Sequence, residues 1–197
     1  MISYVKKQMK KDILIICLIL LIILFVVNGT EIQSVEEYYL IHIDDIREDS
    51  KTVFISIRCD SVFSHYDMLD PSLKKEGVLP SDGIILPMSE YVLRDGDTVF
   101  DILDRVTRHN RIQMEYQGAE KNGFGSVHVE GISYLYSFSC GPLSGWTYTV
   151  NGKAAGLGSS LYELSDGDVI EWVYTCELGE DVGSAVFGET GGKNGDT

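Results

Sequence analysis

A chain of 197 residues has room for one domain with extensions. Its net charge is −14, and from residue 28 onward 12 Lys plus Arg face 29 Asp plus Glu, about −17. A field of that sign repels nucleic acid and anionic surfaces, which argues against both as partners.

The chain opens "MISYVKKQMKKD" and then runs through fifteen consecutive apolar residues, 13–27. Positive flanks stay cytoplasmic, so residues 1–12 read as a cytoplasmic basic segment. Residues 13–29 read as a transmembrane anchor or a signal sequence. The run sits at the length limit of a signal peptide's apolar region and lacks its small-residue exit. It is shorter than the roughly 20 residues of an ordinary spanning helix, a shortfall that bilayer thinning and snorkelling lysines relax. The expectation is an N-terminal transmembrane helix, single-pass in the cell membrane, with the domain extracellular. Cys17, inside the run, reads as a small hydrophobe. Residues 30–51 read as a stalk, and "NGT" at 28–30 fits a glycosylation acceptor.

"TVFISIRC" alternates, with Val53, Ile55, Ile57 and Cys59 on one face, and predicts a half-buried strand. A loop punctuated by Pro71, Pro80 and Asp82-Gly83 follows. "IILPMSEYVLR" predicts a second strand, placed by Pro87 at an edge or a bulge. "DGDTVFDILDRVTRHN" predicts the main helix, capped by Asp97 or Thr98, with Val99, Ile102, Leu103 and Val106 as its apolar stripe. Short strand-like runs lie at 112–116, 126–129 and 134–138. "GWTYTV" predicts a strand ending in the Asn151-Gly152 turn. "DVIEWVYTC" predicts a last strand with Ile170, Trp172, Tyr174 and Cys176 on its apolar face. One helix on a mainly antiparallel sheet is an α+β architecture. A β-grasp-like mixed sheet with one main helix fits the order, with the first and last strands paired in its middle. "LRDGD" at 93–97 and "LSDGD" at 164–168 read as two tight turns rather than cation ligands.

The histidines are scattered without H-E-x-x-H, and the cysteines form no C-x-x-C. "GPLSG" lacks the nucleophile-elbow spacing, and the pairs "GFGS" and "GLGSS" lack a phosphate loop's context. His65, Asp67 and Asp70 in "HYDMLD" read as a polar loop. The sequence predicts no catalytic residues, no metal ligands and no required cofactor, hence a non-enzyme.

Trp146, Asn151-Gly152, Gly158, Tyr162, the turn 166–168 and the alternating strand 169–175 form an ordered set. With "DGDTVFDIL" they resemble the C-terminal domain of transcobalamin and intrinsic factor. They resemble more closely the related bacterial surface domains catalogued as a domain of unknown function. The resemblance covers residues 52–183, leaving 184–197 as a flexible tail. It implies a β-grasp-like fold and, in the animal carriers, a domain closing over one face of cobalamin against a helical barrel. This chain has no such barrel.

Two readings of the aromatic strand follow. Trp146 and Tyr148 fill the core, or they join Asn151, Gly152, Leu157, Gly158 and Tyr162 in a lip that meets a flat ligand. The leading expectation is a non-catalytic extracellular module binding cobalamin or a similar small molecule. The alternatives are a protein- or glycan-binding adhesion module, and a cation-binding domain using acidic loops such as "CELGED" at 176–181. A parallel pairing of first and last strands, which a β-grasp requires, brings Cys59 and Cys176 to one sheet end as a candidate disulfide.

Overall fold

The computed structural model describes residues 2–29, 44–123 and 125–184. The chain divides into two compact units, Met1–Asp44 and Asp45–Thr197. Most of the expected stalk, the third residue of "NGT" and nearly all of the tail lie outside the described residues.

The first unit holds helix α1, Ile2–Gly29. Among the described residues, no helix is long and apolar enough to cross a membrane. This corrects the expected transmembrane helix, and the reason is length. Fifteen apolar residues rise about 22 Å as a helix, short of the ~30 Å hydrocarbon core. The helix before them carries Lys6, Lys10, Lys11 and Asp12.

The second unit contains β1 (Thr52–Arg58), a short α2 (Ser61–Ser64), β2 (Ile84–Val92) and the main helix α3 (Val99–His109). Then come β3 (Met114–Gln117), β4 (His128–Ile132), β5 (Leu135–Tyr136), β6 (Gly145–Val150), β7 (Lys153–Ala154) and β8 (Val169–Thr175). These strands build two sheets, a five-stranded one in the order β2-β1-β8-β6-β7 and a three-stranded one in the order β3-β4-β5. That corrects the expectation of one β-grasp-like sheet. In the small sheet β4 and β5 are joined by a two-residue turn, Ser133-Tyr134, with both φ values positive. Ile132 is thereby paired with Leu135, and β3 pairs back onto β4.

In the large sheet β1 runs parallel to β8, with Phe54 beside Val169 and Arg58 beside Val173. The remaining neighbours are antiparallel. Pro87 lies in β2, the edge strand, where a missing N–H costs least. Helix α3 begins at Thr98, whose hydroxyl accepts from Asp101 N at 3.3 Å while Asp101 Oδ2 accepts from Thr98 N at 2.8 Å. This reciprocal cap satisfies two otherwise orphaned donors.

The two L-x-D-G-D turns share one construction. Gly96 and Gly167 take φ values of +80° and +82°. Asp97 accepts from Arg94 N, and Asp168 from Ser165 N, each at 2.8 Å. They lie side by side, joined by Leu164 N to Asp97 O at 3.0 Å.

Two apolar clusters fill the unit. The first gathers Val53, Ile55, Ile57, Ile170 and Trp172 beneath Val99, Ile102, Leu103 and Val106 of α3. The second gathers Cys59, Val62, Leu69, Leu73, Leu135, Cys140, Tyr174 and Cys176.

Cys59, Cys140 and Cys176 are all buried free thiols, so the expected Cys59–Cys176 disulfide is corrected. Register explains it: Arg58 sits beside Val173, which sets Cys59 level with Tyr174 and leaves Cys176 two residues beyond. Burial pushes the Cys59 thiol up to about 12 and raises Cys140 and Cys176 above the usual thiol range.

Candidate functional site

Strand β6 positions the site. Its alternation sends Tyr148 into the first cluster, where the ring lies 5.3 Å from Trp172 and its hydroxyl donates to Leu157 O at 2.7 Å. Burial beside Tyr162 pushes the Tyr148 phenol up to about 12, which keeps it a donor. Trp146 is half-buried and packs against both clusters. Its indole N–H donates to Leu135 O at 2.8 Å, and its ring meets Tyr174 edge-to-face at 5.3 Å.

Two hollows open along this strand. One of about 390 Å³ is walled by Val127 and Val129, by Trp146 and Tyr148, and by Gly158 and Trp172. The other, of about 300 Å³, is walled by Phe138, Leu143, Trp146, Thr175 and Leu178. Both include His128, Trp146 and Thr147, so together they form one groove. Among the described residues, no Asp, Glu, Lys or Arg lines either hollow. In a domain this acidic, that is a neutral channel.

Two features of the groove run against ordinary packing. Trp172 is 3% exposed, yet among the described residues its Nε1–H has no hydrogen-bond partner. A buried indole N–H ordinarily finds an acceptor. At the lip, Phe138 and Leu178 are 73% and 68% exposed and hold φ values of +68° and +53°. Large side chains are outliers in that region, and such strain collects at binding sites.

The groove brings together Trp146, Tyr148 and Gly158 from the sequence-predicted set. It leaves the others outside. Asn151 and Gly152 form the β6–β7 turn, with φ values of +53° and +71°, and the Asn151 side chain bridges Asp168 Oδ1 and Val169 N. Leu157 is exposed and contributes its carbonyl to Tyr148; Tyr162 packs against the first cluster. Gly158 has a packing role, since a Cβ there would overlap the Ser126 side chain. Sequence reasoning missed Trp172, His128, Thr147 and the lip. Phe138 and Leu178 lie in turn segments whose apolar residues carry no periodic signal, although two large hydrophobes beside "SCGPLSG" and "CELGED" were visible.

A second group lies past the end of β8, where His65 Nε2 approaches Glu177 Oε1 at 3.1 Å. The expected neighbour Asp70 is engaged elsewhere, accepting from Ser72 N and Oγ, which holds its carboxyl below the usual range.

Residues 96–176 match a family described as a domain of unknown function, DUF4430. The matched stretch includes α3, β6 and β8, and with them most of the groove. A solved structure from Ruminococcus gnavus, described as a "putative metal binding protein", is similar at 11% identity and a TM-score of 0.38. That similarity covers 64% of this chain and 96% of the other. A comparison with the curated proteins finds no match.

Proposed function

We propose that the second unit is a non-catalytic binding module that takes a small, flat, largely uncharged molecule into the groove along β6. The observation that carries this reading is a hollow walled by three aromatic side chains, Trp146, Tyr148 and Trp172, with no charged side chain among its described lining residues. Their faces supply the surface that a flat, uncharged molecule packs against. The volume falls within the roughly 300–1,000 Å³ of small-molecule sites. Cobalamin, implied by the resemblance to the transcobalamin C-terminal domain, is one candidate. The hollow matches an edge or side arm of a corrinoid rather than the whole ring. The lysine-flanked apolar run makes export, as a signal sequence, part of the proposal; the domain should then be recovered outside the cells with the apolar run removed.

The exposed lip favours a second reading, in which Phe138, Leu143 and Leu178 receive an apolar segment of a protein partner. A thermal-shift series with cobalamin, cobinamide, flavin and free nucleobases separates the two. A ligand at 100 times its dissociation constant adds about 2.7 kcal/mol. Phe138→Gly relieves the positive φ, so stability should hold or rise by about 1 kcal/mol, while ligand affinity falls. Equal ligand binding by the wild type and Phe138→Gly would defeat the lip, and no stabilisation by any compound would favour the protein partner.

A further inference from the structure

Past the C-terminal end of β8 three elements converge. His65 follows α2, Cys176 is the first residue beyond β8, and Asp181 lies on the 3-10 turn Glu180–Val182. One nitrogen, one sulfur and one carboxylate oxygen from these side chains all lie within 4.8 Å of one another.

Each is aimed from behind. His65 Nδ1 is 3.1 Å from Ser61 O, and because a carbonyl only accepts, Nδ1 carries the proton. That leaves Nε2 as the outward donor atom, facing Glu177 Oε1 at 3.1 Å. Asp181 Oδ2 accepts from Cys176 N at 2.8 Å, and its Oδ1 accepts from the Thr175 hydroxyl. Each carboxylate oxygen keeps a further lone pair for an ion. Cys176 is 3% exposed, which fixes its sulfur.

We infer that His65 Nε2, Cys176 Sγ and an Asp181 oxygen bind one divalent transition-metal ion of the zinc class, with the Glu177 carboxylate beside the fourth position. Thiolate and imidazole select zinc or cobalt over calcium and magnesium, which prefer all-oxygen sites. An imidazole that donates its other N–H to a backbone carbonyl is the usual arrangement of a metal-bound histidine. On binding, the Cys176 thiol proton and the proton shared between His65 Nε2 and Glu177 are both released to solvent, which frees the Nε2 lone pair for the ion; no oxidation state changes. A His65–Glu177 ion pair accounts for the imidazole alone; the sulfur also lies in hydrogen-bonding contact with Cys140 and Ser61, and Cys140→Ser is therefore the control for which thiol binds. The ion closes the loop that carries Leu178 and lies outside the groove's own lining, so the site stands or falls independently of the ligand proposal.

The test is a cobalt titration of the reduced full-length chain. The expected result is one equivalent of Co²⁺, intense bands of four-coordinate cobalt and a thiolate-to-cobalt charge-transfer band, all bleached by zinc. Cys176→Ser should remove the charge-transfer band, and His65→Gln should weaken affinity by at least about tenfold. Cys17→Ser, the exposed thiol, should leave the spectrum unchanged. If Cys176→Ser fails to fold by circular dichroism, His65→Gln decides alone. Absence of four-coordinate bands in the wild type overturns the site. So does a charge-transfer band that survives Cys176→Ser but disappears in Cys140→Ser, or full affinity in His65→Gln.

Discussion

The two clusters are supplied by the same strands and hold together differently. Beneath α3, the aliphatic side chains Val53, Ile55, Ile57, Ile102, Leu103 and Ile170 are fully buried. Burial of apolar area works there without regard to direction. At the other end, β1 and β8 deliver Cys59, Tyr174 and Cys176 to a cluster threaded by hydrogen bonds. Tyr174 donates at 2.7 Å to Tyr136 O and lies 2.9 Å from Ser144 Oγ; Cys140 N donates to Ser144 Oγ at 3.0 Å. The first cluster is a matter of volume; the second is a matter of geometry. Chemistry therefore concentrates at the second end, and Trp146, packed against both, marks the junction where the groove opens.

That contrast can be broken most easily by volume. Ile102→Ala should cost about 2–5 kcal/mol in urea denaturation, because a cavity under α3 has rigid walls on all sides. A cost below about 1 kcal/mol would show that the helix settles into the gap and that the helix-side cluster is not close-packed. Tyr174→Phe keeps the volume and removes only the hydroxyl. Tyr136 O retains Ser139 N as a donor, and Ser144 Oγ retains Cys140 N. The expected loss is therefore the net worth of a hydrogen bond, about 0.5–1.5 kcal/mol. No measurable loss would erase the distinction between the clusters.

The smallest effect lies near pH 9. Cys59 is raised from 9.0 to about 12, and Tyr174 from 10.0 to about 12, both chiefly by burial. The folded state keeps protons that the unfolded chain releases. Stability from these groups is thus fully present below about pH 9 and declines as pH climbs from 9 toward 12. Urea midpoints should be flat from about pH 7 to 8.5 and fall above 9. A midpoint that rises across that window would contradict the burial of both groups. For the same reason Cys59 should resist a thiol reagent at neutral pH until denaturant is added.

Much of the large sheet was legible because its signals are long or local. The alternation in "TVFISIRC" and "DVIEWVYTC" marks two strands apolar enough for the middle of a sheet, and they are neighbours there. Thr98, one of the two cap candidates, caps α3, and Asn151-Gly152 forms its turn. The small sheet was not legible as a separate unit. Met114 to Gln117 is four residues long, β5 is two residues long, and the Ser133-Tyr134 turn uses no glycine. Parity placed Cys59 and Cys176 on one face, but parity says nothing about register, and a two-residue offset separates them. Length misled at the N-terminus, where a run of strong composition is too short to span. In the groove the aromatic strand announced itself, whereas the place of Trp172 in its wall depended on how β8 pairs with β6. Gly158, expected as a ligand contact, lines the groove and also leaves room for Ser126.

The parallel pair at the centre of the large sheet has a consequence for how the chain is made. Phe54 lies beside Val169, 115 positions later, so the middle of that sheet cannot assemble until nearly the whole domain has left the ribosome. Loop closure of that span precedes any reward from the contact, which places the domain among slow, topology-limited folders. During that interval β1 has only its antiparallel neighbour β2, and its other edge stays open. A chain that must stay unfolded while it is threaded through a narrow passage gains from such a delay, and a chain cut short before residue 169 would never complete its central sheet.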